Sequence, residues 1–397
     1  MIPISKALKI VDREIPKLGS EKARLDDAVG RVLAENIVAD MDLPPFDRSQ
    51  MDGYAVKSAD TVAAPVTLKI VGESAAGRGW SGKLKNGEAV RIMTGAPVPA
   101  GADAVQRLEL AEERGGFVAV LEPVAVEKFI VPRGSETRKG KKVLSAGTVV
   151  DANMVATLAA FGYAKVKVAQ QPRVAVLATG SEIVEVTRKP KSDQIRNSNS
   201  AMLAAMLREI GIEAEILPRV PDDLTGLTAS FIAAAKKADI VVITGGVSVG
   251  KYDLTKAALT EIGADIHFDK IELRPGKPTV FASRKKTCFF GLPGNPVSVA
   301  VTFALFVRRA ILQMQSAAET TLAAGFAVLE TPAKAAKERD TYLPATLATS
   351  ADGQLLAVPL KWGGSSDFVG YCAADALAIV PKGKSYAAGD VAEIVFL

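Results

Sequence analysis

Histidine is almost absent: His267 is the single one in 397 residues, which excludes a metal centre built from several imidazoles. It lies in the alternating stretch ADIHFDKIEL, where a strand histidine is expected. Cysteine is nearly as scarce. Cys288 and Cys372 have no CxxC spacing, so a disulfide framework or structural zinc site is not expected, and a reducing compartment is. Aromatic residues are 6% of the chain and are not interleaved with basic ones, which speaks against a nucleic-acid stacking platform. The longest apolar run, PVSVAVTFALFV from Pro296 to Val307, is shorter than the roughly 20 residues that cross a bilayer. The opening MIPISKALKIVDREI carries charges every few residues, unlike a secretory signal. A soluble, cytoplasmic protein that binds neither membrane nor nucleic acid is expected.

What is present is an ordinary globular balance, 48% hydrophobic and 23% charged, with a net charge of +5. That mild excess suits an anionic small molecule, and the length suits several domains. From Arg173 to about Ala317, strand-like and helix-like segments alternate: RVAVLATG, NSAMLAAMLREIG with Asn199 as cap, EAEIL, DDLTGLTASFIAAAKKA, DIVVITGG and DLTKAALTEIG. This rhythm predicts a doubly wound, mostly parallel α/β sheet. Before it, RLDDAVGRVLAENIVA and NMVATLAAFG read as helical and flank a lobe rich in glycine, proline and short β-like runs. After it come short strands without a long helix. The expected division is a region 1–171 with an inserted β-rich lobe at about 44–142, an α/β domain 172–318, and a small β domain 319–397.

In an open parallel sheet, ligands sit outside the carboxyl ends of the strands. Three loops should meet there. One holds Thr179, Gly180, Ser181 and Glu182. The second is TGGVSVG, where Gly245, Gly246 and Gly250 let backbone amides approach an anion; Asp253 follows as a possible cap. The third is GLPGNPVS, where Asn295 is placed as N-cap and Pro296 at the first helical position. It reads as a tight turn or, through free helix amides, as an anion site. Nearby, LRPGKP sets Arg274 and Lys277 about a stiff turn: solvated charge, or an oxyanion site. Neither a Walker A loop nor a GxGxxG fingerprint occurs. In PPFDRSQMDGYAV, Asp47 and Asp52 are turn caps or oxygen ligands for a hard cation such as Mg2+. RIMTGAPVPAGADAV carries Thr94 at a strand end.

Taken together, MDGYAV, RIMTGAPVPAGADAV, TGGVSVGKYDLTK, RPGKP and LPGNPVS, in this order, resemble the molybdopterin molybdenumtransferase family, which includes bacterial MoeA and the E-domain of gephyrin. The resemblance spans nearly the whole chain. It implies a molybdopterin-binding fold for the central domain and a homodimer with a shared cleft. It also implies Mg2+-dependent insertion of molybdate into adenylylated molybdopterin with release of AMP. Residue by residue, it implies that Gly245, Gly246, Ser248 and Gly250 hold the pterin or its phosphates, with Pro293, Asn295 and Pro296 in the third loop. Asp52, Thr94, Glu182, Asp222 and Asp253 would be catalytic, Asp52 and Asp253 also as metal ligands. Arg274 and Lys277 would attract molybdate, with Arg339 and Ser365 closing the site from the C-terminal domain. The chain departs from the family at Ser181 of TGSE, at Lys251, at Glu136 of RGSE and in the ER preceding Asp340.

Two other functions compete. A molybdopterin adenylyltransferase would share the central fold, but the long N-terminal region and the C-terminal β domain argue against it. A non-catalytic scaffold would not need Asp52, Asp253 and the cationic loop. Contacts with a molybdopterin adenylyltransferase and with molybdoenzymes or their chaperones are further implied by the family. Molybdate and tungstate, tetrahedral dianions of near-equal size, would be held alike by Arg and Lys.

Overall fold

Continuous apolar strands need cover on both faces, and alternation along each strand shows how they get it. The computed structural model describes residues 1–221, 223–247, 254–361 and 363–397. Its central sheet runs in the order Ala214–Ile216, Val174–Ala178, Ile240–Thr244, Thr287–Leu292, Val280–Arg284, Asp265–Phe268. The first four are mutually parallel and the last two antiparallel. Val174, Val176 and Val242 pack with Leu203 and Leu207 of helix Ser198–Glu209. Their neighbours Ala175, Leu177 and Val241 pack on the opposite face with Leu227 and Phe231 of helix Leu224–Ala235 and with Leu259 of helix Leu254–Glu261. Phe281, Phe289 and Phe290 are fully buried, and burial at this size stabilises by roughly 1.5–3 kcal/mol per side chain. His267 is a packed strand residue, with Nε2 2.8 Å from Ser283 Oγ and its ring against Phe281. Burial pushes the Cys288 thiol up to about 12, which disfavours the thiolate.

The chain forms two compact units: Met1–Glu35, Ala146–Ala156 and Ala164–Leu397, and, separately, Asn36–Ser145 with Thr157–Tyr163. In the first unit the C-terminal strands close on themselves. Asp340–Thr349, Leu355–Pro359, Ala324–Leu329, Val391–Phe396 and Ala376–Val380 pair in that order, and the last pairs back with the first. Closure satisfies the edges around a small core of alanines with Leu329 and Ile394. The second unit carries a sheet ordered Ala104–Arg107, Gly53–Val56, Glu88–Ile92, Val66–Ser74, Phe117–Val120, Ala111–Arg114.

Three expectations are corrected. RLDDAVGRVLAENIVA is not a helix. It holds a short 3-10 turn, Leu25–Asp27, and a strand Ile37–Val38, while the N-terminal helix is Ile4–Glu14. Gly30 stands at φ 79, and Val32 and Leu33 bridge to Val149 and Val168, so tertiary pairing overrides helical periodicity. Second, the cap of helix Ser198–Glu209 is Asn197, whose side chain accepts from Ser200 N. Third, the helix that carries the apolar run does not end with it at Val307. Helix Pro296–Thr302 continues through a π-helical stretch Phe303–Val307 into Arg308–Met314. At 19 residues it is long enough to span a bilayer, but 78% of its apolar window is buried inside the protein. It is a core helix.

Candidate active site

In-register pairing decides where the loops leave the central sheet. Ala178 lies opposite Thr244, and Thr244 opposite Leu292, so the three loops emerge side by side. The ladder continues past them: Thr179 N donates to Thr244 O at 3.0 Å and Gly245 N to Leu292 O at 3.3 Å. Gly245 has φ 91 and Gly246 φ 64. A Cβ on Gly245 would lie 2.5 Å from Thr179 O, which leaves no room for any other residue.

Asn199, expected as a cap, instead ties the second and third loops together. Its Nδ2 donates to Thr244 Oγ1 at 2.9 Å and to Gly294 O at 2.7 Å. The sequence reading placed the cap two residues too late, because RNSNS holds a second asparagine, Asn197, with the same capping chemistry. The buried atoms Asn199 Oδ1, Thr179 Oγ1 and Thr255 Oγ1 have no partner among the described residues. Orphaned groups of this kind cost about 1–3 kcal/mol each, which a ligand or water would recover. The two threonine hydroxyls flank Gly246, where an added Cβ would stand 2.8 and 2.9 Å from them.

The loops border two adjoining cavities, of about 790 Å³ and 360 Å³, which share Thr179, Glu182, Gly245, Gly294 and Asn295. Together they form a two-lobed trough of a size suited to a cofactor. Gly246, Val247, Pro278 and Pro293 face the smaller lobe, and Pro296 the larger. Glu182 is exposed, and its carboxylate folds over Gly180. Asn295 occupies the cap position and Pro296 the first turn, yet Asn295 makes no capping bond. Its Nδ2 donates to Ser365 Oγ at 2.7 Å, and Val297 N donates to Ser365 O at 3.1 Å. Part of the helix terminus read as an anion site is thus already spent on Ser365, which the fold does bring to the third loop.

The turn that ends at Pro278, a residue lining the smaller lobe, begins with Arg274, which lies exposed in the short strand Leu273–Arg274, paired with Asp340–Thr341. Arg339 immediately precedes that partner, so the two cation-bearing segments run side by side. The acids nearby are engaged elsewhere: Lys382 Nζ binds Glu272 Oε2 at 2.6 Å and Lys382 N donates to Asp340 Oδ1 at 2.8 Å. The side chains of Arg274, Lys277 and Arg339 form no ion pair among the described residues. Lys277 is half-buried, in a turn where Ile271 N and Thr279 N both donate to its carbonyl.

Within the second unit, Asp52 and Thr94 meet. Thr94 donates to Asp52 Oδ1 through its amide at 2.7 Å and its hydroxyl at 2.9 Å. Those two bonds hold the exposed Asp52 carboxyl below its usual range. Asp222, Ser248, Gly250, Lys251 and Asp253 lie outside the described residues. Among the described residues no group of three or more acidic, histidine or cysteine side chains could hold a metal ion.

Three family models match in succession. The MoeA N-terminal region (domain I and II) covers residues 2–162, a probable molybdopterin binding domain 175–313, and the MoeA C-terminal region (domain IV) 327–397. A molybdopterin molybdenumtransferase of Bacillus subtilis is 35% identical over 405 residues, 100% of this chain and 94% of the relative. The chain belongs to the molybdopterin molybdenumtransferase family. A member from Staphylococcus aureus is 34% identical over 99% of this chain and 95% of its own. Two crystallised MoeA proteins of Pyrococcus horikoshii cover 100% of it. One has a TM-score of 0.87 at 30% identity over 100% of that chain. The other has 0.81 at 33% over 99%. Against this family background, while Thr255 lies within TGGVSVGKYDLTK without having been singled out, two features stand out that lie outside the five motifs quoted for the resemblance: Asn199 and the segment around Phe368.

That segment is held by Asp367. Its carboxylate accepts from Gly363 N at 2.8 Å and Gly370 N at 3.0 Å, which lowers its pKa, Gly363 contributing most. Because the folded pKa is depressed, the ordering this carboxylate provides is present above the ordinary carboxylate range and is lost as pH falls through the folded value. Amide exchange at Gly363 and Gly370, corrected for intrinsic rate, should therefore accelerate in acid. Asp367→Ala should show the fast exchange already at neutral pH.

Proposed function

We propose that the trough binds adenylylated molybdopterin and that the Arg274–Lys277 turn delivers molybdate. The metal then enters the dithiolene as AMP leaves in a magnesium-dependent step. The family sets the class: a transferase of molybdenum cofactor biosynthesis that acts in molybdenum insertion. The observation that carries the finer reading is the adjacency of two complementary features. Strand-end amides and orphaned hydroxyls suit the phosphates of a nucleotide-linked pterin. Cations without ion-pair partners among the described residues, in the turn that leads to Pro278 of the smaller lobe, suit a tetrahedral dianion.

Each part of the site has its own task. Gly245 and Gly246 allow the backbone to approach the pyrophosphate, and Thr179 and Thr255 offer it hydroxyl donors. Arg274, Lys277 and Arg339 neutralise the oxyanion, and Ser365 fixes the third loop through Asn295. Magnesium prefers oxygen ligands and keeps several waters. Asp52 fits that chemistry, because Thr94 engages Oδ1 alone; Asp253, the other expected ligand, lies outside the described residues. When bound, the ion would neutralise charge on the bridging phosphates. The protein acts as a cytoplasmic homodimer, with the three regions 1–171, 172–318 and 319–397 as its domains, and serves molybdoenzymes downstream. Matches to MoeA models on both sides of the central domain weigh against an adenylyltransferase.

The test is AMP release from adenylylated molybdopterin with Mg2+, with and without molybdate, and with tungstate in parallel. Release that depends on the oxyanion supports the reading. Adenylation of molybdopterin from Mg-ATP, without oxyanion-dependent release, would sink it.

A further inference from the structure

Arg91 opens RIMTGAPVPAGADAV, yet the reaction proposed above gives it no task. In the β-rich unit it stands opposite Tyr54 across the strands Gly53–Val56 and Glu88–Ile92, and beside Glu73 of Val66–Ser74. Its guanidinium donates to both carboxylate oxygens of Glu113 and to Glu73 Oε2 at 3.1 Å. The buried Tyr54 donates its hydroxyl to Glu113 Oε2 at 2.5 Å. Glu113 lies on Ala111–Arg114, the far edge strand of the sheet, so the sheet curls back until that edge reaches Tyr54. Arg91 and Tyr54 hold the Glu113 carboxyl below its usual range. One cation thus ties its own strand to two others through their carboxylates.

The same two strands lead to Asp52 and Thr94. Asp52 precedes Gly53, and Thr94 lies two residues past Ile92, which is opposite Gly53. Gly53 has no side chain to grip its neighbour and cannot gain one, since an added Cβ would stand 1.9 Å from Gln106 O. The first hydrogen-bonding pair back from the strand ends is therefore Tyr54 and Arg91. We infer that Arg91 is a positioning residue: clamped by Glu113 and Glu73, it fixes the spacing of the two strand ends and so holds the Asp52 carboxylate where Thr94 meets it. The inference rests on the role proposed above for Asp52. Without the guanidinium, Glu73 and Glu113 would be left as uncompensated like charges, which destabilise a cross-strand arrangement, and the strand ends would shift. A displacement of about 1 Å in a positioning group can cost a hundredfold in rate.

Hydrogen exchange at the Thr94 amide, which donates to Asp52 Oδ1 at 2.7 Å, tests the assignment on the full chain without substrate or metal. The Gly134 amide, which donates to Pro44 O in the same unit at 2.9 Å, is the control. Arg91→Met should speed exchange at Thr94 about tenfold and leave Gly134 unchanged. Asp52→Ala should speed Thr94 as well, and adding Arg91→Met to it should bring no further change, because the two act through one contact. In molybdate-dependent AMP release, Arg91→Met should lower kcat about tenfold to a hundredfold and leave the molybdate midpoint unchanged. Arg91→Lys, which keeps the charge without the fork, should recover part of the loss. Wild-type exchange at Thr94 in Arg91→Met overturns the inference. So does equal acceleration at Thr94 and Gly134, which would mark a general loss of stability. Failure of the underlying reading shows separately, as wild-type turnover in Asp52→Ala.

Discussion

Replacing Gly245 by alanine is expected to lower turnover at least a hundredfold and to destabilise the protein measurably. The residue stands at φ 91, and holding a non-glycine residue in such a sparsely populated region costs about 1–3 kcal/mol. The new Cβ would also stand 2.5 Å from Thr179 O. That atom is backbone at the end of a fully buried strand, so it cannot swing aside, and the loop must move instead. A shift of about 1 Å in a positioning group can cost a hundredfold in rate. Gly263→Ala is the control. It also has positive φ, 68, but an added Cβ there meets nothing within 4 Å. That variant should lose only the backbone contribution and keep its activity. Thermal melts and molybdate-dependent AMP release on both variants check the pair. Wild-type turnover in Gly245→Ala would mean that the strand-end amides do not hold substrate.

Lys277→Ala should weaken the dependence on molybdate by about tenfold to a hundredfold, since a hydrogen bond to a charged group is worth roughly 1.5–3 kcal/mol. The half-buried lysine sits in a turn whose carbonyl is bonded twice, so little ordering remains to be done when the anion binds. The neighbouring acids Glu272 and Asp340 are held by Lys382, which leaves the cationic segment uncompensated. High molybdate should rescue the variant's rate, while the apparent affinity for the adenylylated pterin should change less, because that rests on the glycine loop. The measurement is AMP release titrated with molybdate. An unchanged molybdate midpoint would remove this turn from the oxyanion site.

Much of this was legible in the chain. Alternating buried strands and helices between Arg173 and Ala317 specify a sheet covered on both faces, because a strand that is apolar at every position needs two partners. Glycines at strand ends, prolines in the turns and the RPGKP cations mark the loops that carry chemistry, since only a few residue types allow those backbone paths and charges. The ordered motifs indicated the family. Sequence periodicity failed where long-range pairing outweighed local preference. The apolar residues of RVLAENIVA match a helix pattern, but Val32 and Leu33 bridge to segments more than a hundred residues away. It failed again at RNSNS, where capping preference cannot tell Asn197 from Asn199. Only the fold shows that one caps its helix while the other is buried between two loops.

Local chemistry along the chain specifies the parts: the central fold class, the three loops and the cations. Which of these parts touch is set by long-range pairing. Strand register set Ala178, Thr244 and Leu292 at one level. Pairing between Leu273–Arg274 and Asp340–Thr341 drew Arg339 to the cationic turn. The bond from Asn295 to Ser365 tied the segment carrying Phe368 to the third loop. The residues of each such pair lie far apart along the chain. Their meeting depends on how the sheet and barrel edges pair, which no local pattern encodes.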